Sequence, residues 1–438
     1  MNKVKFLFTL LFFPFLLFSQ KQDELNSKLR STIVNNISQL LIDNYVFPDT
    51  ALKMSHCIKK KLKAGAYNKI TDPVAFSDAL TIDLYSVYRD GHMLVQYIPQ
   101  DADSIEVIAS DSSKETKIDP FKRIKQANFG LSKVEILYGN IGYIHIDHFW
   151  ADSIYGRETV KATLQFVSNT NALIIDLRDC GGGSQETVNM ICGFFLEKST
   201  HINDMYDRSA KTTTSYWTKP DSSYTKMVNM PLYILTNNKT FSAAEEFCYV
   251  LQSLKRATII GETTGGGAHG TFSKDVGSGF LLSIPYWTAI NPITKTSWEK
   301  VGVKPDLEVP SDKALEKAEV EIFNNLISKS SDSLEIFNLL WDLELTKALN
   351  NPITLDSLTL KSYQGKFEER NFTFEQGKLY YQRTGRPKFE LEAMSPTIMK
   401  GKGNSYFKIE FVKNNYGKVD KVNAYYQDNR IETSTRTE

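Results

Sequence analysis

Two short runs, Ala172-Leu-Ile-Ile-Asp-Leu177 and Pro231-Leu-Tyr-Ile-Leu-Thr236, constrain this chain more than any other feature. Each is apolar on consecutive residues rather than on alternate ones, the pattern of a strand covered on both faces. A stretch with helical character follows each, residues 185–196 and 242–254. Strand followed by helix, repeated, implies α/β layering, and this texture extends from about 93 to 310. The Thr- and Ser-rich stretch 204–229 between the two units reads as a surface excursion.

The flanks differ. Residues 22–90 read as helical: Asp72-Pro73 gives a cap followed by proline, and Phe76, Leu80, Leu84 and Val87 then recur on one face. Two earlier helices are expected over 27–45 and 50–63. This helical part, 20–92, ends at Arg89-Asp90-Gly91-His92. After Pro310 come two helical stretches, 312–327 and 333–349, within a connection spanning 311–350. Period-two alternation follows at Phe372/Phe374, Phe407/Ile409/Phe411 and Val422/Ala424/Tyr426, with turns at Gln376-Gly377 and Asn414-Asn415-Tyr416-Gly417. Residues 355–438 therefore read as a small β-domain, sheet or barrel.

Composition removes whole classes of function. A net charge of +1 argues against nucleic-acid binding through a large basic surface. The 26 Phe, 21 Tyr and 5 Trp exclude wholesale disorder. Residues 1–19 stand apart, with Lys3 and Lys5 ahead of an apolar run from Phe6 to Phe18 broken only by Thr9 and Pro14. As a helix that run covers roughly 20 Å, against about 30 Å of bilayer hydrocarbon. It reads as a signal peptide cleaved near Ser19 or Gln20, so the expected location is periplasmic or extracellular. No integral membrane span is expected after its removal. The four cysteines, Cys57, Cys180, Cys192 and Cys248, form no C-x-x-C pair and no zinc spacing. They allow three full pairings or free buried thiols.

The chemistry-bearing segments stand at strand ends. Asp176-Leu-Arg-Asp-Cys-Gly-Gly-Gly183 runs from a buried strand through three glycines into a helix. Glycines there let backbone N–H groups face a ligand or a developing oxyanion. There is no G-x-x-x-x-G-K-[ST] and no G-x-G-x-x-G, and a tight turn explains the glycines nearly as well. Thr240-Phe-Ser-Ala-Ala-Glu-Glu-Phe247 places Ser242 at the positive end of a helix, where following amides can hold an oxyanion. Ser242 and Glu245 equally match a capping box.

Taken with Gly261-Glu-Thr-Thr-Gly-Gly-Gly267 and Gly302-Val-Lys-Pro-Asp306, these segments resemble the carboxy-terminal processing (tail-specific) serine peptidases. That family's relatives include the tricorn core and the interphotoreceptor retinoid-binding modules. The resemblance is strongest over 172–309. It implies a crotonase/Clp-like α/β catalytic domain acting on a peptide or protein substrate without metal or cofactor. It further implies Ser242 as nucleophile, with Gly182 or Gly183 and Ala243 as backbone oxyanion donors. Gly267 stands where the tail-specific branch has its lysine base, and the span 89–140 leaves little room for a PDZ insert. The tricorn-like branch uses Ser, His and Glu, which this chain resembles at Ser242, His92 and Glu299. Gly91 replaces that branch's serine before the histidine, and Cys180 replaces a usual asparagine. His269 is the rival base. His145 and Asp147 share a strand face and suggest a metal pair, but two ligands do not make a site. The competing class is a non-catalytic module binding peptides or hydrophobic ligands on the same scaffold. Oligomeric state is not legible.

Overall fold

The computed structural model describes residues 25–98, 122–218 and 226–438, so the expected signal segment lies outside the described residues. The described residues divide into two compact units, one of 25–98 with 271–286, the other of 122–218, 226–270 and 287–438.

The larger unit is built on a six-stranded sheet. Its order is Leu307–Glu308, Thr258–Gly261, Leu232–Thr236, Ala172–Asp176, Ile141–Ile146, Leu131–Leu137. All neighbours are parallel except the last pair. Every residue of Ala172–Asp176 and Leu232–Thr236 is buried, as runs without alternation require. Successive side chains point to opposite faces. Leu173, Ile175 and Ile234 join a core with Val160, Val188, Ile191, Phe247 and Leu251, from helices Ile154–Phe166, Gln185–Phe195 and Ala243–Ser253. Ala172, Ile174, Tyr233 and Leu235 join a second core with Ala318, Ile322, Phe323, Leu339 and Leu343, from helices Ala314–Lys329 and Ser333–Asn350. The fold class is thus α/β, as the strand–helix texture implies.

One feature departs from the sequence pattern, and one makes it more definite. The stretch read as an excursion contains an antiparallel hairpin, His201–Asp207 with Thr212–Trp217. Its Thr, Tyr and Trp are good strand formers, and its outer strand is polar because it is exposed. The C-terminal strands, from Gly365–Phe367 to Ile431–Thr435, form an eight-stranded antiparallel meander in chain order. A bridge from Phe367 to Arg436 ties its first strand to its end, making it barrel-like. Phe367, Phe372, Ile409, Phe411, Val422 and Ala424 fill its interior.

In the smaller unit, helices Ser27–Asn44, Pro48–Lys63 and Pro73–Val87 pack through Ile33, Val34, Ile37, Met54, Ile58, Phe76, Leu80 and Leu84. The Asp72 carboxylate accepts the Ala75 N–H at 2.9 Å, the expected cap ahead of Pro73. Strand Leu94–Tyr97 pairs antiparallel with residues 280–283, which bring Phe280 and Leu282 into this core. All four cysteines are thiols, three of them buried.

Candidate active site

Ser242 sits between strand Leu232–Thr236 and helix Ala243–Ser253 with φ 57° and ψ −121°, a conformation that costs a non-glycine residue on the order of 1–3 kcal/mol. The surrounding loops hold it there. Asn237 Oδ1 accepts the N–H groups of Asp179, Lys239 and Thr240. The Thr240 hydroxyl donates to the Leu177 carbonyl at 2.8 Å, and the Phe241 N–H donates to Cys180 at 2.9 Å. The serine loop is thereby stitched to the glycine loop. Arg178 forks onto Asp176, which also accepts the Tyr143 hydroxyl at 2.7 Å, so the Asp-Leu-Arg segment anchors the loop rather than facing a ligand.

Gly182, at φ +98°, lies directly against the serine turn. A Cβ there would stand 2.7 Å from the Phe241 carbonyl oxygen, 2.8 Å from Ser242 Cβ and 2.9 Å from Ala243 N. Gly183 is clamped by Phe149, whose N–H donates to Gly182 O and whose carbonyl accepts from Ser184 N. Burial pushes the Cys180 thiol up to about 12, with the Gly182 amide acting against it. Cys180 is therefore a neutral packing group.

Glu245 is the hub of the third loop. Its Oε2 accepts Ser242 N–H at 2.9 Å and Gly267 N–H at 2.8 Å. Its Oε1 accepts the Thr264 hydroxyl at 2.5 Å and Gly266 N–H at 2.6 Å. Burial still outweighs these donors and pushes the carboxyl up to about 7. The Ser242 N–H to Glu245 bond is the returning half of the capping box that the sequence pattern matches. Glu246 beside it is buried, accepts Asn203 Nδ2 at 2.6 Å and Gln185 Nε2, and is pushed up to about 8 by burial.

Glu299 reaches the same glycine loop from just ahead of the fourth motif. Its Oε2 accepts Ala268 N–H at 2.8 Å and lies 3.7 Å from His269 Nδ1. The Trp298 indole donates to Gly267 O at 2.8 Å, and Lys300 N–H to Gly266 O at 2.9 Å. The His269 side chain is 0% exposed. Ser242, Ala243, Gly182, Gly183, Glu299 and His269 thus all belong to the larger unit. His92 belongs to the smaller one, half-buried after a turn whose Asp90 accepts the His92 N–H at 3.1 Å and the Tyr45 hydroxyl at 3.0 Å.

These four ordered motifs lie in a segment with known relatives. Residues 140–309 match the family model described as peptidase family S41, and residues 24–129 match that of the N-terminal domain of Peptidase_S41 in eukaryotic IRBP. The chain carries a peptidase family S41 domain over 140–309. It is 32% identical over 181 residues to carboxyl-terminal-processing peptidase 2, chloroplastic, of Arabidopsis thaliana, covering 39% of this chain and 32% of that one. It is 29% identical over 149 residues to the tail-specific protease of Haemophilus influenzae, covering 33% and 20%. The chain thus spans a third or less of the length of these two relatives. A solved photosystem II D1 C-terminal processing protease aligns with TM-score 0.44 and 14% identity, over 64% of this chain and 93% of that one.

One histidine of this S41 domain carries no sequence signal. His148 stacks on Trp150, ring centroids 3.9 Å apart, with its Cε1 3.5 Å from where a Gly181 Cβ would stand. Burial lowers its pKa, against the pull of Asp147 and the Gly182 backbone. His145, in contrast, meets the Ser132 hydroxyl at 3.0 Å and Asp147 at 3.5 Å.

Proposed function

We propose that this chain is an exported serine peptidase in which Ser242 is the nucleophile, His92 the base and Glu299 the acid that orients it. The observation carrying the proposal is the Ser242 turn, strained and backed by Gly182. Such a turn projects a serine hydroxyl ahead of a helix N-terminus, where amides face a developing oxyanion. Of the amides there, Ser242 N–H goes to Glu245 and Ala244 N–H to the Phe241 carbonyl. The Ala243 N–H then serves the oxyanion, with Gly182 or Gly183 giving the second donor. In this reading His92 takes the Ser242 proton as Oγ attacks the peptide carbonyl. It returns that proton to the leaving amine, and water then releases the acyl group by the same route. The buried Asp90, held by Tyr45, supports rigid presentation of His92.

A second reading makes His269 the base, favoured by its 3.7 Å approach to Glu299. Its complete burial favours instead a role in holding that carboxylate. The test is peptide hydrolysis and fluorophosphonate labelling of Ser242→Ala, His92→Ala, His269→Ala and Glu299→Gln. Ser242→Ala is expected to abolish labelling, and His92→Ala and Glu299→Gln to lose most of kcat. His269→Ala is expected to keep a measurable rate. An inactive His269→Ala beside a fully active His92→Ala would move the base to His269. A wild-type chain that neither hydrolyses nor labels, yet binds peptide, would make it a binding module. Export is tested separately, by finding the native N-terminus near Gln20 or Lys21.

A further inference from the structure

The barrel and helix Ser333–Asn350 line a half-open cavity of about 310 Å³ that the peptidase reading does not use. Its walls are apolar, with Phe337, Trp341, Ile398, Tyr425, Tyr426 and Ile431 among them. One amine faces it, that of Lys408, whose side chain is only 6% exposed. Lys408 Nζ lies over the Trp341 ring, 3.6 Å from its centroid, and 2.5 Å from Glu344 Oε2. Glu344 is 63% exposed. A buried cation is therefore neutralised by a carboxylate on a largely solvated, movable side chain. Such a partner is readily replaced by another carboxylate.

Charge decides the sign of the ligand. A ring of aromatic walls can attract a cation, but the Trp341 face is covered by Lys408 and the Tyr426 face by Arg430, at 4.3 Å. A cationic ligand would meet two like charges. An anionic one would meet Lys408 once Glu344 swings away. The volume lies at the small end of ligand cavities, which suits a single small molecule.

We propose that this cavity binds a small carboxylic acid with an apolar aryl or alkyl body, its carboxylate replacing Glu344 on Lys408. The test is isothermal titration of the full chain with 3-phenylpropionate, octanoate, the neutral 3-phenylpropionamide and the cationic 3-phenylpropylamine. At least one acid is expected to bind, with the amide weaker by about tenfold or more and the amine silent. Tighter binding of octanoate assigns an alkyl body, and of 3-phenylpropionate an aryl one. Glu344→Gln removes the internal competitor at an exposed position and is expected to tighten the acid. Lys408→Met is expected to erase the preference for acid over amide. Equal binding of acid and amide, silence from both acids, or weaker acid binding by Glu344→Gln would overturn the proposal.

Discussion

Glu245 and Glu246 are adjacent and buried, and burial raises the pKa of both, yet they should respond oppositely to the same substitution. Both oxygens of Glu245 accept from two donors each. A glutamine amide there would point its N–H groups at two other donors. Glu245→Gln should therefore cost about 1–3 kcal/mol in urea unfolding and lower kcat, since the Ser242 amide and the glycine loop lose their common acceptor. Glu246 uses one oxygen for both its donors, so Glu246→Gln keeps the acceptor and removes a group that must ionise at alkaline pH. The sign of its pH dependence follows from its raised pKa. Folded, the carboxyl keeps its proton up to about 8, against an ordinary 4.5, so the folded state binds the proton more tightly. The contribution of Glu246 to stability is fullest below about pH 4.5, falls as pH rises, and is smaller by on the order of a few kcal/mol once pH passes about 8. Urea midpoints at about pH 5 and about pH 8.5 should differ less in Glu246→Gln than in the parent.

At the scale of elements, the glycine loop is where shape and chemistry coincide. Gly182→Ala puts a methyl within 3 Å of Phe241 O, Ser242 Cβ and Ala243 N, at a φ that alanine resists. It should suppress fluorophosphonate labelling strongly, whereas Gly403→Ala, in a hairpin with no neighbour within 4 Å, should leave labelling unchanged. This loop was readable from sequence because its punctuation is local: a doubly buried strand, then glycines, then a helix start. The helix at Pro73 was readable for the same reason, through Asp72. What local pattern does not carry is pairing across the chain. Nothing near Leu94 announces Ser283 as its partner, so residues 271–286 were not assignable to the helical part. The approach of His269 to Glu299 depends likewise on how two loops fold back. His148 went unread because a lone histidine after a strand has no period to betray it, and its stacking on Trp150 emerges only in three dimensions.

At the scale of the whole molecule, Arg370 is the polar centre of the barrel, buried and donating to Ser434 Oγ, Tyr426 Oη and Glu432. Arg370→Ala should destabilise the chain by roughly 1–3 kcal/mol, read as a lower urea midpoint, because Ser434, Tyr426 and Glu432 lose a buried donor while Glu432 keeps Arg383 and Arg430. The two large sheets also differ in the distance along the chain between partners. Each barrel strand meets the next one in sequence, and distant segments join where the first strands meet the C-terminal one, among the described residues through the Phe367–Arg436 bridge, Lys366 and Arg370. The parallel sheet instead brings Ala172–Asp176 beside Leu232–Thr236, and Thr258–Gly261 beside Leu307–Glu308. Loop closure must precede those contacts, which slows their formation. After dilution from denaturant, the hairpins of the barrel should regain protection from amide exchange first. Recovery of serine labelling should track the slowest refolding phase.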